Sequence, residues 1–195
     1  MVLSTERLKP LDDVIGSLSP TEQGSLRSGK AIVNVVSDRY VSYMLVRADI
    51  DPIWSVLTDY DHFADFLPSV QSSEVLESEG DRAVVEQIAK LKVMLAEMES
   101  RVRTENIRTP KKRIDFRLIE GDLEIMEGDW QLIPVQVSEG KDQSQPLTLV
   151  KQSVHAKIGN PLLEGAFEAV YTKNIKRNLK AIAQEVYKRQ DAETE

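Results

Sequence analysis

PLLEGAFEAVYTKNIKRNLKAIAQEVYKR, residues 161–189, is the stretch from which the fold follows. Pro161 suits the first turn of a helix, and no proline interrupts what comes after it. Leu163, Phe167, Val170, Tyr171, Ile175, Leu179, Ile182 and Val186 recur at spacings of three and four. That is one apolar stripe on a helix of 3.6 residues per turn. The opposite side carries Lys173, Lys176, Arg177, Lys180, Gln184 and Lys188. The spacing predicts an amphipathic helix of roughly seven to eight turns. It closes a chain whose preceding hundred residues read mostly as strands, so its stripe must lie on a sheet. Asn174 and Asn178 sit on or beside that stripe. Together they point to a partly polar space under the helix.

Composition bounds the rest. The chain has 195 residues, 41% hydrophobic and 29% charged, enough for one good-sized core and one main domain. A net charge of −7 argues against general nucleic-acid binding, which needs a basic surface, and against docking on anionic membranes. The chain has no cysteine, so disulfides, thiolate catalysis and cysteine-ligated metals are excluded. The start, MVLSTERLKPLDD, lacks the apolar core of a signal peptide. No apolar run reaches the ~20 residues of a membrane span. The expectation is a soluble, cytoplasmic protein without stable membrane insertion; its oligomeric state is not set by the sequence.

Residues 1–29 read as a loosely packed N-terminal extension. Ser19 is the N-cap of a short helix, Pro20 its first residue and Glu22 an acid in its first turn. Residues 31–36 (AIVNVV) and 40–48 (YVSYMLVRA) read as strands joined by a tight turn at Ser37–Arg39. Asp51 is the expected cap of a helix running to about Asp59, and a second short helix ends at Phe66, before Pro68. From about Val70 to Ile158 strand follows strand. The clearest alternation sets Glu97, Glu99, Arg101, Arg103 and Glu105 on a wet face. Ala96, Met98, Ser100, Val102 and Thr104 fall on a covered one. The segment Val137–Pro146 reads as a polar loop, and residues 190–195 as a frayed tail.

The expected fold class is α+β: a curved antiparallel sheet of about six to seven strands, solvated on one face and wrapped on the terminal helix. Two short helices follow its first main strand. Such a layout leaves an apolar space between sheet and helix.

This layout resembles the helix-grip fold of the START-like, or SRPBCC, superfamily. Asp51-Pro52-Ile53-Trp54-Ser55-Val56-Leu57-Thr58-Asp59-Tyr60 with Phe66-Leu67-Pro68 resembles a segment of its polyketide cyclase/dehydrase and coenzyme Q-binding-protein branch. Gly121-Asp122 and Gly128-Asp129-Trp130-Gln131-Leu132-Ile133-Pro134 resemble a hairpin of the same branch, and Asn178-Leu179 its helix ending. The resemblance covers residues 30–189. It implies a START-like ligand-binding domain over that range. Superfamily members hold lipids, sterols, hormones, quinones or polyketides in the cavity, and only some are enzymes.

His62 and His155 are the only histidines, and for each a surface position is the favoured reading. No G-x-S-x-G elbow or phosphate-binding glycine loop occurs. Asp122, Glu124, Glu127 and Asp129 do not match a calcium loop and read as hairpin turns. No catalytic residue, metal site or cofactor is assigned. The leading expectation is a noncatalytic carrier of a hydrophobic small molecule: a lipid, isoprenoid, quinone or pigment. Its expected liners are Trp54, Phe63, Phe66, Met98, Ser100, Phe116, Trp130, Gln152, Phe167, Tyr171 and Asn174. Ser100, Gln152 and Asn174 would orient a polar end. An aromatic polyketide cyclase/dehydrase-type enzyme and a protein-interaction module on the same fold are the alternatives.

Overall fold

The structure, a computed structural model, describes residues 8–93, 96–136 and 145–194; the side chains of 91–98 and 193–194 lie outside that description. In chain order the elements are β1 (Lys9–Pro10), α1 (Leu11–Ile15), α2 (Pro20–Arg27), β2 (Ile32–Val36), β3 (Arg39–Val46) and α3 (Ile50–Thr58). A 3-10 turn (Tyr60–His62) leads into α4 (Phe63–Phe66). Then come β4 (Val70–Glu79), β5 (Arg82–Val93), β6 (Ala96–Thr109), β7 (Arg113–Gly121), β8 (Ile125–Gln136) and β9 (Leu147–Lys157). A second 3-10 turn (Pro161–Leu163) enters α5 (Glu164–Thr194). The strands form one curved sheet in the order β2-β3-β9-β8-β7-β6-β5-β4, antiparallel throughout, with β1 added in parallel beside β8. This is the helix-grip layout. The sheet has nine strands rather than six to seven; the short β1 is the one not read as a strand from the sequence.

Local chemistry explains the punctuation. Ser37 takes φ 58° in the two-residue turn between β2 and β3. Ser19 and Glu22 form a reciprocal cap on α2: Ser19 N–H donates to Glu22 Oε2 at 2.8 Å, and Glu22 N–H to Ser19 Oγ at 3.4 Å. Gly128 sits in mid-β8 where a Cβ would collide with the Ser153 carbonyl oxygen and stand 2.9 Å from Phe116 Cζ. Only glycine lets the β9 backbone and the Phe116 ring approach this closely.

The core lies between the inner face of the sheet and α5. Phe167, Ile175, Leu179, Ile182 and Val186 of α5 pack with Ile53, Val56 and Leu57 of α3. From the sheet come Tyr40, Met44, Ile114, Phe116, Leu132, Val150 and Val154. The α4–β4 junction is tied to α5 where Ser69 Oγ donates to Asn178 Oδ1 at 3.2 Å. Asn178 is therefore a packing residue of the helix.

Four expectations change. The N-terminal extension is not loosely packed: over the described residues Leu11, Ile15, Leu18 and Leu26 are buried against Tyr43, Leu45, Val135 and Leu149 on the outer face. Each of these four buried side chains contributes roughly 1.5–3 kcal/mol to holding the arm on the sheet. The sheet is consequently solvated on only part of its outer face. The cap of α3 is Asp49, whose side chain makes no capping bond, whereas Asp51 pairs with Lys111 at 2.8 Å. Residues 190–194, expected as the start of a frayed tail, are helical and continue α5 to Thr194. The 137–146 loop falls outside the described residues except for Gln145 and Pro146.

Candidate functional site

Strand register arranges the inner-face side chains in rows. One row runs Ser42, Gln152, Trp130, Ile114 across β3, β9, β8 and β7. The next runs Tyr40, Val154, Gly128, Phe116, Asn106, Ala83. A third joins Leu118, Thr104 and Val85. From α5, Phe167 and Tyr171 stack with centroids 5.1 Å apart, and Tyr171 meets Tyr40 edge-on at 4.9 Å. Burial pushes the Tyr171 hydroxyl well up, and pushes Tyr40 up as well, with Glu168 adding to the latter. Both remain neutral phenols at ordinary pH.

The rows differ in polarity. On β6, Ser100, Thr104 and Asn106 are buried. Asn106 Nδ2 donates to Thr104 Oγ1 at 3.0 Å. Tyr60 packs over Ala83 and Val85, the residues registered opposite Asn106 and Thr104. Its hydroxyl is buried without a hydrogen-bond partner, and burial raises it to about 12 against the opposing pull of Arg108. Ser42 Oγ is likewise buried and unpartnered. Each such group costs on the order of 1–3 kcal/mol. Polar groups left in that state on an inner wall mark a place where packing is not the only demand.

Of the expected liners, Phe116 and Phe167 belong to the inner cluster, and Trp54, Phe63, Phe66, Trp130 and Tyr171 pack half-buried against it. Ser100 is buried on β6 opposite Ala89. Gln152 is half-buried between Ser42 and Trp130, and Asn174 half-buried one turn beyond Tyr171. Met98 pairs with Leu91 in the β5–β6 ladder, and its side chain lies outside the described residues. Phe66 has a second allegiance: its ring lies 5.9 Å from the Arg189 guanidinium and lines an external groove. Sequence reasoning missed Tyr40, Ser42, Tyr60 and Asn106. Asn106 continues the period-two alternation of β6 and was within reach of that signal.

The external groove, about 290 Å³, lies between the α3–α4 insert and the C-terminal half of α5. Asp59 is its hub. One oxygen meets His62 Nδ1 at 2.6 Å, and the other accepts from Arg189 Nη2 at 2.8 Å. Arg189 Nε also donates to Glu185 at 2.9 Å. Burial pushes Asp59 upward, yet the bonds from His62 and Arg189 prevail and hold it below the usual carboxylate range. The Asp59 hydrogen bond raises His62, whose side chain is 63% exposed. His62 thus faces the groove and solvent. His155 Nε2 lies 3.2 Å from Asp38 Oδ2. The acids of the β7–β8 hairpin have local partners: Asp122 accepts from the Arg101 N–H at 2.6 Å, and Glu127 from Arg39 at 3.0 Å. Among the described residues no three His, Asp or Glu side chains converge as a metal cluster. No helix among them is long and apolar enough to cross a membrane.

A family model described as polyketide cyclase / dehydrase and lipid transport matches residues 46–183. No curated protein sequence matches the chain. Among solved structures, TTHA0849 of Thermus thermophilus is similar at TM-score 0.64 and 21% identity, over 77% of this chain and 98% of that one. The Zhui aromatase/cyclase of a Streptomyces species is similar at TM-score 0.60 and 19% identity, over 77% and 94%. A START superfamily protein of Mycobacterium smegmatis is similar at TM-score 0.62 and 15% identity, over 77% and 97%. At these identities the likeness carries the fold.

Proposed function

The chain belongs to the polyketide cyclase / dehydrase and lipid transport family, and from that premise we propose that it binds a hydrophobic small molecule between the inner face of the sheet and α5. The ligand class is a lipid, isoprenoid, quinone or pigment. The observation that carries this reading is the polar wall: Thr104 and Asn106 are buried on the inner face of the sheet, and Tyr60 packs over their register partners Val85 and Ala83. Apolar contact supplies most of the affinity, at roughly 25 cal/mol per Å² buried. The wall, with Ser100, Gln152 and Asn174, orients one polar end. The reading places this carrier in the cytoplasm and gives it no nucleic-acid partner.

Native mass spectrometry of protein purified from its own source tests the proposal. The expected result is a hydrophobic molecule retained above the 22.0 kDa chain mass, with occupancy reduced by Asn174→Leu. A bare chain mass, or undiminished occupancy in a folded Asn174→Leu variant, would overturn it. A second reading, an aromatic polyketide cyclase, draws on the aromatase/cyclase fold neighbour. Under it the retained molecule would be a cyclised polyketide, and Tyr60 would be the hydroxyl to remove first.

A further inference from the structure

The sheet ends in two edges of different construction. The β4 edge carries Glu74, Glu77 and Glu79, and its pairing with β5 is irregular at Val70/Ser72 and at Val75/Glu77. Charges and bulges of this kind keep other strands away. The β2 edge has neither. It reads Ile-Val-Asn-Val-Val, with no charge and no proline, and pairs one-to-one with β3 along all five residues. Val35 is 46% and Val36 58% exposed.

Register fixes which backbone groups this edge offers. The two-residue turn makes Val36 and Arg39 the closing hydrogen-bonded pair. Alternation then assigns Asn34 and Ile32 to bonds with β3, and turns the N–H and C=O of Val33 and Val35 outward. A second β2 laid antiparallel about a two-fold axis through Asn34 sets Val33 opposite Val35 and Ile32 opposite Val36. Val33 and Val35 then exchange backbone bonds on both sides of the axis, and the exposed valines gain apolar neighbours. The same axis brings Lys30, before the strand of one copy, toward the hairpin turn that carries Asp38 in the other, twice by symmetry. Asp38 is 59% exposed and has His155 on one oxygen only. The strand is therefore complementary to itself in hydrogen bonding, apolarity and charge, although the chain as a whole carries −7.

We propose that β2 is a self-association edge, where a second copy of this chain pairs antiparallel with Asn34 on the two-fold axis. A five-residue edge buries less than an obligate interface, so the dimer is concentration-dependent.

The test uses the full chain. Weight-average mass by analytical ultracentrifugation should rise with concentration from 22.0 kDa toward twice that value. Val35→Pro removes an outward N–H that β3 does not use, and should hold the mass at 22.0 kDa at every concentration. Asn34→Cys places the sole cysteine of the chain on the axis. Facing Cα atoms of a non-hydrogen-bonded pair are about 4.5 Å apart, within disulfide reach. This variant should run as a disulfide dimer under oxidising conditions. Ile32→Cys should not, since its two copies lie about 13 Å apart along the strand. A constant monomer mass with an uncross-linked Asn34→Cys would overturn the proposal, and so would a dimer that survives in folded Val35→Pro. If Val35→Pro fails to fold, the cysteine pair decides alone.

Discussion

The two halves of the sheet are built to different specifications. In the half made of β2, β3, β9 and β8, the drier one, apolar clusters cover the inner face and part of the outer. The core under α5 covers the inside, and the N-terminal arm covers Tyr43, Leu45, Val135 and Leu149 on the outside. In the half made of β4 to β7, the outer face is an ionic lattice. Glu86 accepts from Arg101 and Arg103, both of which also reach Glu120. Glu105 accepts from Arg82 and Arg117. The inner face of that half holds Ser100, Thr104 and Asn106. The difference separates scaffold from wall. Strands clamped on both faces carry the stability, and strands wet on one side are free to present polar groups on the other.

Cutting the scaffold should have the largest effect. Removing residues 1–29 exposes the outer apolar cluster, and at roughly 1.5–3 kcal/mol per buried side chain the loss is several kcal/mol. Urea denaturation should show the midpoint collapse. The matching cut on the lattice, Glu86→Gln, should leave the midpoint within error, and comparable losses in the two would erase the distinction. Next in size, Leu179→Ala removes a side chain only 1% exposed beneath the drier half. It should cost about 2–5 kcal/mol, read from the same unfolding curves.

The wall should respond differently. Replacing Thr104 by Val and Asn106 by Leu removes both partners of one hydrogen bond, which is near-neutral for stability. Ligand occupancy by native mass spectrometry should fall while the melting temperature holds. A fall in both would make the pair ordinary core.

The smallest effect belongs to the seam where the α3–α4 insert meets α5. His62 is raised by Asp59, so its stabilising contribution is complete below the ordinary histidine value of about 6.5 and is lost as pH climbs through its folded value. Asp59 is lowered, so its contribution is present above the ordinary carboxylate value and lost as pH falls through its folded one. Thermal melts from about pH 3 to about pH 9, a range spanning both ordinary values, should show a shallow decline on the alkaline side that His62→Ala abolishes. An unchanged profile in the variant would remove His62 from the seam.

Much of this division was legible in the sequence. The stripe from Phe167 to Val186 announced a helix on a sheet, and the Glu99–Glu105 alternation announced one wet face. The docking of the arm was not read, although β3 carried its trace. Tyr40-Val41-Ser42-Tyr43-Met44-Leu45-Val46 is apolar almost without alternation, as a strand buried on both faces should be. For the same reason Tyr40 and Ser42 could not be assigned to the inner face. Tyr60 lay hidden in a 3-10 turn, where neither period applies. Asp49 displaced Asp51 as the cap because α3 begins before Pro52, a shift of the size expected at helix ends.

Gly128 sets the order in which this protein could have changed over time. Its missing side chain is enforced by the β9 main chain at Ser153 and by the ring of Phe116. Shrinking Phe116 would relieve only the second obstacle, so residue 128 stays glycine whatever stands at 116. The dependence runs one way. Position 116 can be resized by substitution to alter the volume under the helix, whereas position 128 is closed to drift by a neighbouring backbone that no mutation removes. A substitution scan should show one position nearly invariant and its partner tolerant, and any lineage that retuned the volume under the helix would have done so at 116 first.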